Sequence, residues 1–79
     1  MTDEVMDRLA NVIRTHFDLP ELRVTRETTA DQVAGWDSIA HAVLLMDIEM
    51  EFDFQFSPED VLDLDKVGDL LDVILRKVG

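Results

Sequence analysis

Three polar residues stand close together near the middle of the chain, and their types allow two kinds of chemistry. Asp37, Ser38 and His41 supply a carboxylate, a hydroxyl and an imidazole within five residues. A catalytic serine requires a base, an orienting carboxylate and an oxyanion hole. No Gly-x-Ser-x-Gly elbow surrounds Ser38, and 79 residues leave little room for a substrate pocket. The remaining interpretations are an ordinary helix serine and an exposed covalent handle, with His41 solvated or facing a partner.

The helix that must position Ser38 begins at the same place. Asp37 is a good N-cap, because its carboxylate accepts hydrogen bonds from the backbone N–H groups of the first turn. From Ile39 to Phe52 there is no Gly and no Pro, which predicts an unbroken helix. Gly35 lets the chain turn sharply before it. We therefore expect Ser38 at a loop–helix junction, at the positive end of the helix dipole.

The stretch Gly35-Trp36-Asp37-Ser38-Ile39, followed by an acidic amphipathic helix, resembles the phosphopantetheine-attachment motif of the acyl and peptidyl carrier proteins. The resemblance covers nearly the whole chain: a first helix, a long loop, the Ser38 helix, and a last helix after a short one. It implies that 4′-phosphopantetheine is esterified to Ser38, beside the motif residue Asp37, and carries an acyl or aminoacyl group on its thiol. Ile39 replaces the leucine of the family motif, and Trp36 is bulkier than the residue expected there.

The resemblance also implies a function without catalysis. Such a carrier presents its thioester to enzymes of lipid (fatty acid), polyketide or nonribosomal peptide-type biosynthesis. The implied partners are a phosphopantetheinyl transferase, an acyl- or aminoacyl-loading ligase, and downstream transferases and synthases with basic docking patches. The alternative is an acidic helical interaction or inhibitor module without a prosthetic group. Bulky side chains that would fill an acyl cavity favour short, polar or aminoacyl cargo: Phe54, Phe56, Leu70 and Leu71.

The helix from Ser38 carries two apolar rows, which so small a protein cannot bury fully. Leu44, Ile48 and Phe52 are spaced by four residues and are predicted to face the core. The second row is either a wide part of the core face or an exposed docking surface, and Met is common on surfaces that bind several partners. Because the family uses this helix for recognition, the resemblance favours a shared docking face: Ile39, Val43, Met46, Asp47, Glu49 and Met50.

The other segments predict an all-α fold, a small four-helix bundle with three longer helices, one short helix and a long first loop. An apolar stripe predicts the first helix over residues 3–16, which Pro20 stops. The loop over residues 18–35 contains a capping box at Thr29, which predicts a helical turn near residues 30–34. Three apolar residues are expected to pin this loop to the core: Leu22, Val24 and Val33.

The C-terminal third predicts the short helix and the last one. Ser57 and Pro58 form a helix start, with Ser as the cap and Pro at the first position. Asp65 is the expected cap of a final helix from Lys66 to Val78. Its predicted buried stripe contains Val67, Leu70, Leu71, Ile74 and Val78.

Composition limits the classes of partner. The 79 residues predict a single domain, residues 1–79, with a formal net charge of −11. This charge argues against nucleic-acid binding, which needs basic patches, and favours basic protein partners. No apolar run approaches the roughly 20 residues that span a bilayer, and Asp3, Glu4 and Asp7 are unlike the basic start of a signal peptide. We expect a cytoplasmic monomer that binds neither nucleic acid nor membranes.

One stretch is similar to the start of a calcium-binding loop. Residues 63–68 read Asp-Leu-Asp-Lys-Val-Gly. The EF-hand pattern requires an oxygen ligand where Val67 stands and a bidentate Glu where Ile74 stands. Both residues are apolar, and the chain has no cysteine to bind a softer metal. We therefore expect no metal site.

Overall fold

Three α-helices account for most of the structure. The computed structural model describes residues 2–62 and 64–78, and the side chains from residue 4 onward. Within these residues the helices are α1 (Thr2–Phe17), α2 (Ser38–Phe52) and α3 (Val67–Val78), with short 3₁₀ helices at Ala30–Gln32 and Pro58–Val61. The predicted all-α fold is confirmed, and its short fourth helix is a 3₁₀ helix of four residues. None of the described helices is both long and apolar enough to cross a membrane.

The core lies where α1 packs against both α2 and α3. Each helix contributes apolar residues that recur at helical spacing, so that one stripe of each helix is removed from water. The predicted core residues of α2 are confirmed, whereas Val78, predicted to be buried, is 42 % exposed because it lies in the last turn of α3. The central cluster consists of Leu9, Ile13, Leu44, Ile48, Phe52, Val67, Leu70, Leu71 and Ile74.

Two aspartates in left-handed conformation end the first two long helices. Asp18 has φ 54°, and the next N–H, of Leu19, donates to the carbonyl oxygen of Arg14 at 2.9 Å. This backbone C-cap ends α1 at Phe17, three residues before Pro20. Asp53 has φ 57° at the end of α2, and the N–H of Phe54 donates to the carbonyl oxygen of Glu49 at 3.2 Å.

The long first loop is hydrogen-bonded to the start of α3. The N–H of Val67 donates to the carbonyl oxygen of Thr28 at 2.8 Å, and that of Gly68 to the carbonyl oxygen of Arg26 at 2.9 Å. An isolated antiparallel bridge joins Thr29 to Lys66 beside them. The three apolar residues that were predicted to attach this loop to the core do so: Val33 is buried, and Leu22 and Val24 are partly buried against the core. The loop therefore delivers the start of α2 close to the start of α3.

Carboxylates at helix starts fix the last third of the chain. At the predicted Ser57 start, Asp60 accepts from the N–H of Ser57 at 2.9 Å and lies 3.1 Å from Nζ of Lys77. The Ser57 backbone N–H, together with Lys77 and the Ser57 hydroxyl, lowers the pKa of Asp60 to about 2. These contacts tie the 3₁₀ helix to the last turn of α3.

The start of α3 differs from the prediction by one residue. The helix begins at Val67, so Asp65 is not its cap. Instead Asp69, inside the first turn, accepts from the backbone N–H groups of Asp65 at 2.9 Å and of Lys66 at 3.1 Å. A carboxylate in the first turn that reaches back to the N–H groups just before the helix forms one half of a capping box and complements the helix dipole. The N–H groups of Val67 and Gly68 in the first turn donate instead to the first loop.

Candidate functional site

Ser38 is an exposed residue at the first position of α2. Asp37 before it has an extended backbone, and its Oδ1 accepts from the N–H of Ala40 at 2.8 Å. Gly35 has φ 88°, a left-handed conformation that favours glycine, and turns the chain toward the helix. The predicted helix start and its Asp37 cap are confirmed. The Ser38 hydroxyl is therefore held at the surface, at the positive end of the α2 dipole.

Trp36 and His41 flank Ser38 and contact each other. The indole Nε1–H of Trp36 donates to Nδ1 of His41 at 3.1 Å. The indole also stacks between two rings, with centroid distances of 5.3 Å to Phe17 and 6.0 Å to His41. Burial lowers the pKa of His41 below its ordinary value, which favours the neutral ring that accepts this hydrogen bond. His41 is therefore half-buried against Trp36 and not fully solvated, whereas a role in facing a partner stays a prediction.

This arrangement does not assemble a catalytic triad. The Asp37 carboxylate is hydrogen-bonded to the backbone of its own helix, and His41 uses Nδ1 to accept from Trp36. A triad would need the carboxylate to orient the imidazole and the imidazole to accept from the serine. The contacts of these side chains therefore fit a structural role.

The second apolar row of α2 is exposed. The exposed fractions are 78 % for Ile39, 44 % for Val43, 60 % for Met46 and 82 % for Met50. The interpretation of this row as a wide core face was therefore wrong. A contiguous row of apolar side chains on one helix is an unusual surface feature, and such surfaces mark interaction sites. We call these four residues the exposed row.

The two carboxylates predicted to rim this row have partners inside the molecule. Oδ2 of Asp47 lies 2.8 Å from Nδ1 of His16 on α1, although 45 % of the Asp47 side chain remains exposed. Oε2 of Glu49 accepts from the backbone N–H of Phe56 at 2.8 Å. Asp47 thus joins α1 to α2, and Glu49 holds the segment that follows α2.

No metal centre is formed by the described residues. No three His, Asp or Glu side chains among them converge closely enough to hold an ion. Asp63, the first residue of the stretch similar to a calcium loop, lies outside the described residues.

The chain matches known proteins over almost its whole length. The family profile described as "phosphopantetheine attachment site" matches residues 7–74. The acyl carrier protein MbtL of Mycobacterium sp. (strain MCS) is 35 % identical over 77 residues, which are 98 % of this chain and 86 % of that protein. An acyl carrier protein of Thermotoga maritima is 29 % identical over 98 % of this chain and 95 % of its own.

A solved structure agrees with these sequences. The solution NMR structure of a holo acyl carrier protein from Geobacter metallireducens superposes with a TM-score of 0.87. Its sequence is 32 % identical, and the match covers 94 % of this chain and 85 % of that one. Fold and site therefore define a helical carrier of a covalently attached group, a class that is not enzymatic. The chain belongs to the acyl carrier protein family.

Membership fixes the general chemistry. The prosthetic group is a covalently attached 4′-phosphopantetheine, and the chain carries acyl groups as thioesters without catalysing their reactions. Its partners are a phosphopantetheinyl transferase and biosynthetic enzymes that use the carried group. The alternative of an acidic inhibitor without a prosthetic group finds no support in these similarities.

Proposed function

We propose that Oγ of Ser38 is the attachment point of the phosphopantetheine arm, in a single domain formed by residues 1–79. The observation that carries this proposal is the exposed Ser38 at the first position of α2, after a cap formed by Asp37. A phosphodiester on this oxygen would lie near the N-terminus of α2, where backbone N–H groups and the helix dipole stabilise an anion. The thiol at the end of the arm holds the cargo as a thioester.

The chain provides a matched control for this assignment, because it contains two serines and both lie at helix starts. We expect the protein to gain one phosphopantetheine, measured by intact mass, when incubated with coenzyme A, magnesium and a broad-specificity transferase. Ser38→Ala should gain nothing, whereas Ser57→Ala should be modified like the parent. Modification of Ser38→Ala, or of no variant with several transferases, would contradict the assignment.

We further propose that the exposed row, with Asp47 and Glu49 at its rim, is the docking face for partner enzymes. The support is the exposure of all four apolar side chains on the helix that begins at Ser38. Asp47 and Glu49 supply negative charge near this row, even though each has an internal partner. A partner would then combine an apolar contact with a basic rim, which gives affinity and fast association together.

The formal net charge of −11 supports partners with basic patches. We propose that these are an acyl- or aminoacyl-loading ligase and the transferases or synthases of a fatty acid, polyketide or nonribosomal peptide-type pathway. We also propose that the protein acts as a monomer in the cytoplasm.

A further inference from the structure

A small cavity lies beside the proposed attachment site. Its volume is about 30 Å³, and it lies partly open to solvent where the first loop meets α2 and α3. Trp36 and His41, the residues on either side of Ser38, form one wall. The other lining residues include Ala30, Leu64, Lys66 and Leu70. Because Trp36 and His41 lie close to Ser38 in the sequence and line this space, a cargo tail that turned back from the arm toward the core here would meet these two side chains.

The cavity is too small for an alkyl tail. A cavity of about 150 Å³ accommodates benzene, and one needs only about 10–15 Å³ to hold a water molecule. At about 30 Å³ the space beside Ser38 has room for a water or two but not for a chain of six carbons. Because protein interiors are close-packed, the surrounding side chains would have to move to admit one.

The wall of this cavity is held in place from several sides. The Trp36 indole is hydrogen-bonded to His41 at 3.1 Å and stacks on Phe17 at a centroid distance of 5.3 Å. Moving the indole aside would leave its N–H without an acceptor and would separate two aromatic contacts. A half-buried indole N–H without a partner is costly. Trp36 and His41 are therefore held in place by contacts that a cargo tail would have to break.

A second space on the molecule does not shelter apolar cargo either. A groove of about 660 Å³ runs between α1 and α2, and it is open to solvent. Its lining mixes the charged side chains of Arg8, Asp47 and Glu51 with apolar ones such as Val12 and Met50. An alkyl chain in this groove would remain in contact with water and with charge, so it would gain little by leaving the solvent.

We infer that Trp36 and His41 form a plug that keeps cargo tails of about six carbons or more out of the interior. The carrier then presents its cargo at the surface, and this suits small polar acyl or aminoacyl groups, which lose nothing by staying in water. Trp36 is the specificity-determining residue of this device. The inference rests on attachment of the arm at Ser38.

The test compares cargo length in the intact holo protein. Wild type and Trp36→Ala are each loaded with acetyl- or octanoyl-phosphopantetheine from the corresponding coenzyme A thioesters, and loading is checked by intact mass. In wild type we expect the melting temperatures of the two forms to differ by less than about 2 °C. In Trp36→Ala the octanoyl form should melt several degrees above the acetyl form, because the tail fills the space left by the indole.

Two controls keep the test decisive. Met6→Ala removes a partly buried side chain of α1 that does not line this cavity, and its melting temperature should not depend on cargo length. If Trp36→Ala does not fold, His41→Ala opens the same wall of the cavity by removing the partner of the indole. A marked rise in the wild-type melting temperature with octanoyl cargo overturns the inference, and so does the absence of any length dependence in the opened variants. Failure of the mass gain on wild type would instead refute attachment at Ser38, so the two failures are distinguishable.

Discussion

Glu49 illustrates how one side chain acquires a structural task that its position in the sequence does not reveal. It lies among residues that were predicted to dock partners, yet its carboxylate accepts the backbone N–H of Phe56 at 2.8 Å. Phe56 in turn stacks edge-to-face on Phe54, with centroids 4.8 Å apart. The carboxylate thus fixes the turn between α2 and the second 3₁₀ helix. A substitution at Glu49 therefore destabilises this turn as well as altering the charge of the proposed docking face.

We expect Glu49→Ala to destabilise the protein by about 1–2 kcal/mol, because a half-buried N–H loses a charged acceptor. Urea unfolding followed by circular dichroism measures this change. Glu51→Ala is the matched control two residues further along α2. Its ion pair with Arg8, at 3.1 Å, is exposed, and such pairs contribute at most about 1 kcal/mol. Equal losses for the two variants would show that the Phe56 contact is unimportant.

At the scale of elements, α2 combines a buried row with an exposed one. Leu44, Ile48 and Phe52 anchor it to α1 and α3, whereas the exposed row leaves an apolar surface in water. An exposed apolar face is unfavourable in water, and such a face on a helix is typical of a surface that binds other proteins. The helix therefore contributes to the core with one face and carries the proposed surface of recognition on another.

We expect Met46→Glu to lower the kcat/KM of phosphopantetheine transfer about tenfold, as loss of a central apolar contact does at other interfaces. Its urea midpoint should stay close to that of the parent, because the side chain is already 60 % exposed. Initial rates at low salt are the measurement. Val78→Glu, at the end of α3 and 42 % exposed, provides the control and should be loaded normally. Unchanged rates for Met46→Glu would argue against the docking face.

Some features of the helices could be predicted from the sequence, and others could not. The start of α2 at Ser38 and its Asp37 cap were predictable because capping is local, and Leu44, Ile48 and Phe52 because burial follows helical spacing. The Trp36–His41 contact was not predictable. A half-buried indole N–H requires an acceptor, but the sequence offers several polar groups nearby that could have served equally well. Two further contacts depend on how the chain turns between helices, which the periodicity of apolar residues does not specify. They are the hydrogen bonds of Asp69 at the start of α3, where Asp65 was predicted as the cap, and the hydrogen bond of Glu49 to Phe56.

The whole molecule combines a small core with a large excess of negative charge. Among the residues that the structure describes, pairs of opposite charge partly offset this excess, among them Arg8–Glu51, Arg26–Asp72, Lys66–Glu27 and Lys77–Asp60. The imidazole of His16 also lies against the Asp47 carboxylate. Apart from those of His16 and Asp60, their side chains are largely exposed, and such pairs stabilise by no more than about 1 kcal/mol each. Self-repulsion among the uncompensated carboxylates acts over longer distances.

Salt screens both the attraction within the ion pairs and the repulsion among the carboxylates, so the larger of the two decides whether salt raises or lowers the melting temperature. We expect the melting temperature to rise by a few degrees between about 0.01 M and 0.2 M NaCl, because repulsion at a net charge of −11 outweighs the exposed pairs. The double variant Glu21→Gln, Glu59→Gln removes two exposed charges, from −11 to −9, and should respond less to salt. A melting temperature that stays constant or falls with salt in the parent would mean that the ion pairs dominate.

The position of the single tryptophan has a practical consequence. Because the chain contains one Trp, and this residue lies two positions before Ser38 in contact with His41, all indole emission originates next to the proposed attachment residue. The protein therefore carries a built-in optical reporter, and arm attachment or partner arrival can be followed in real time without an added dye.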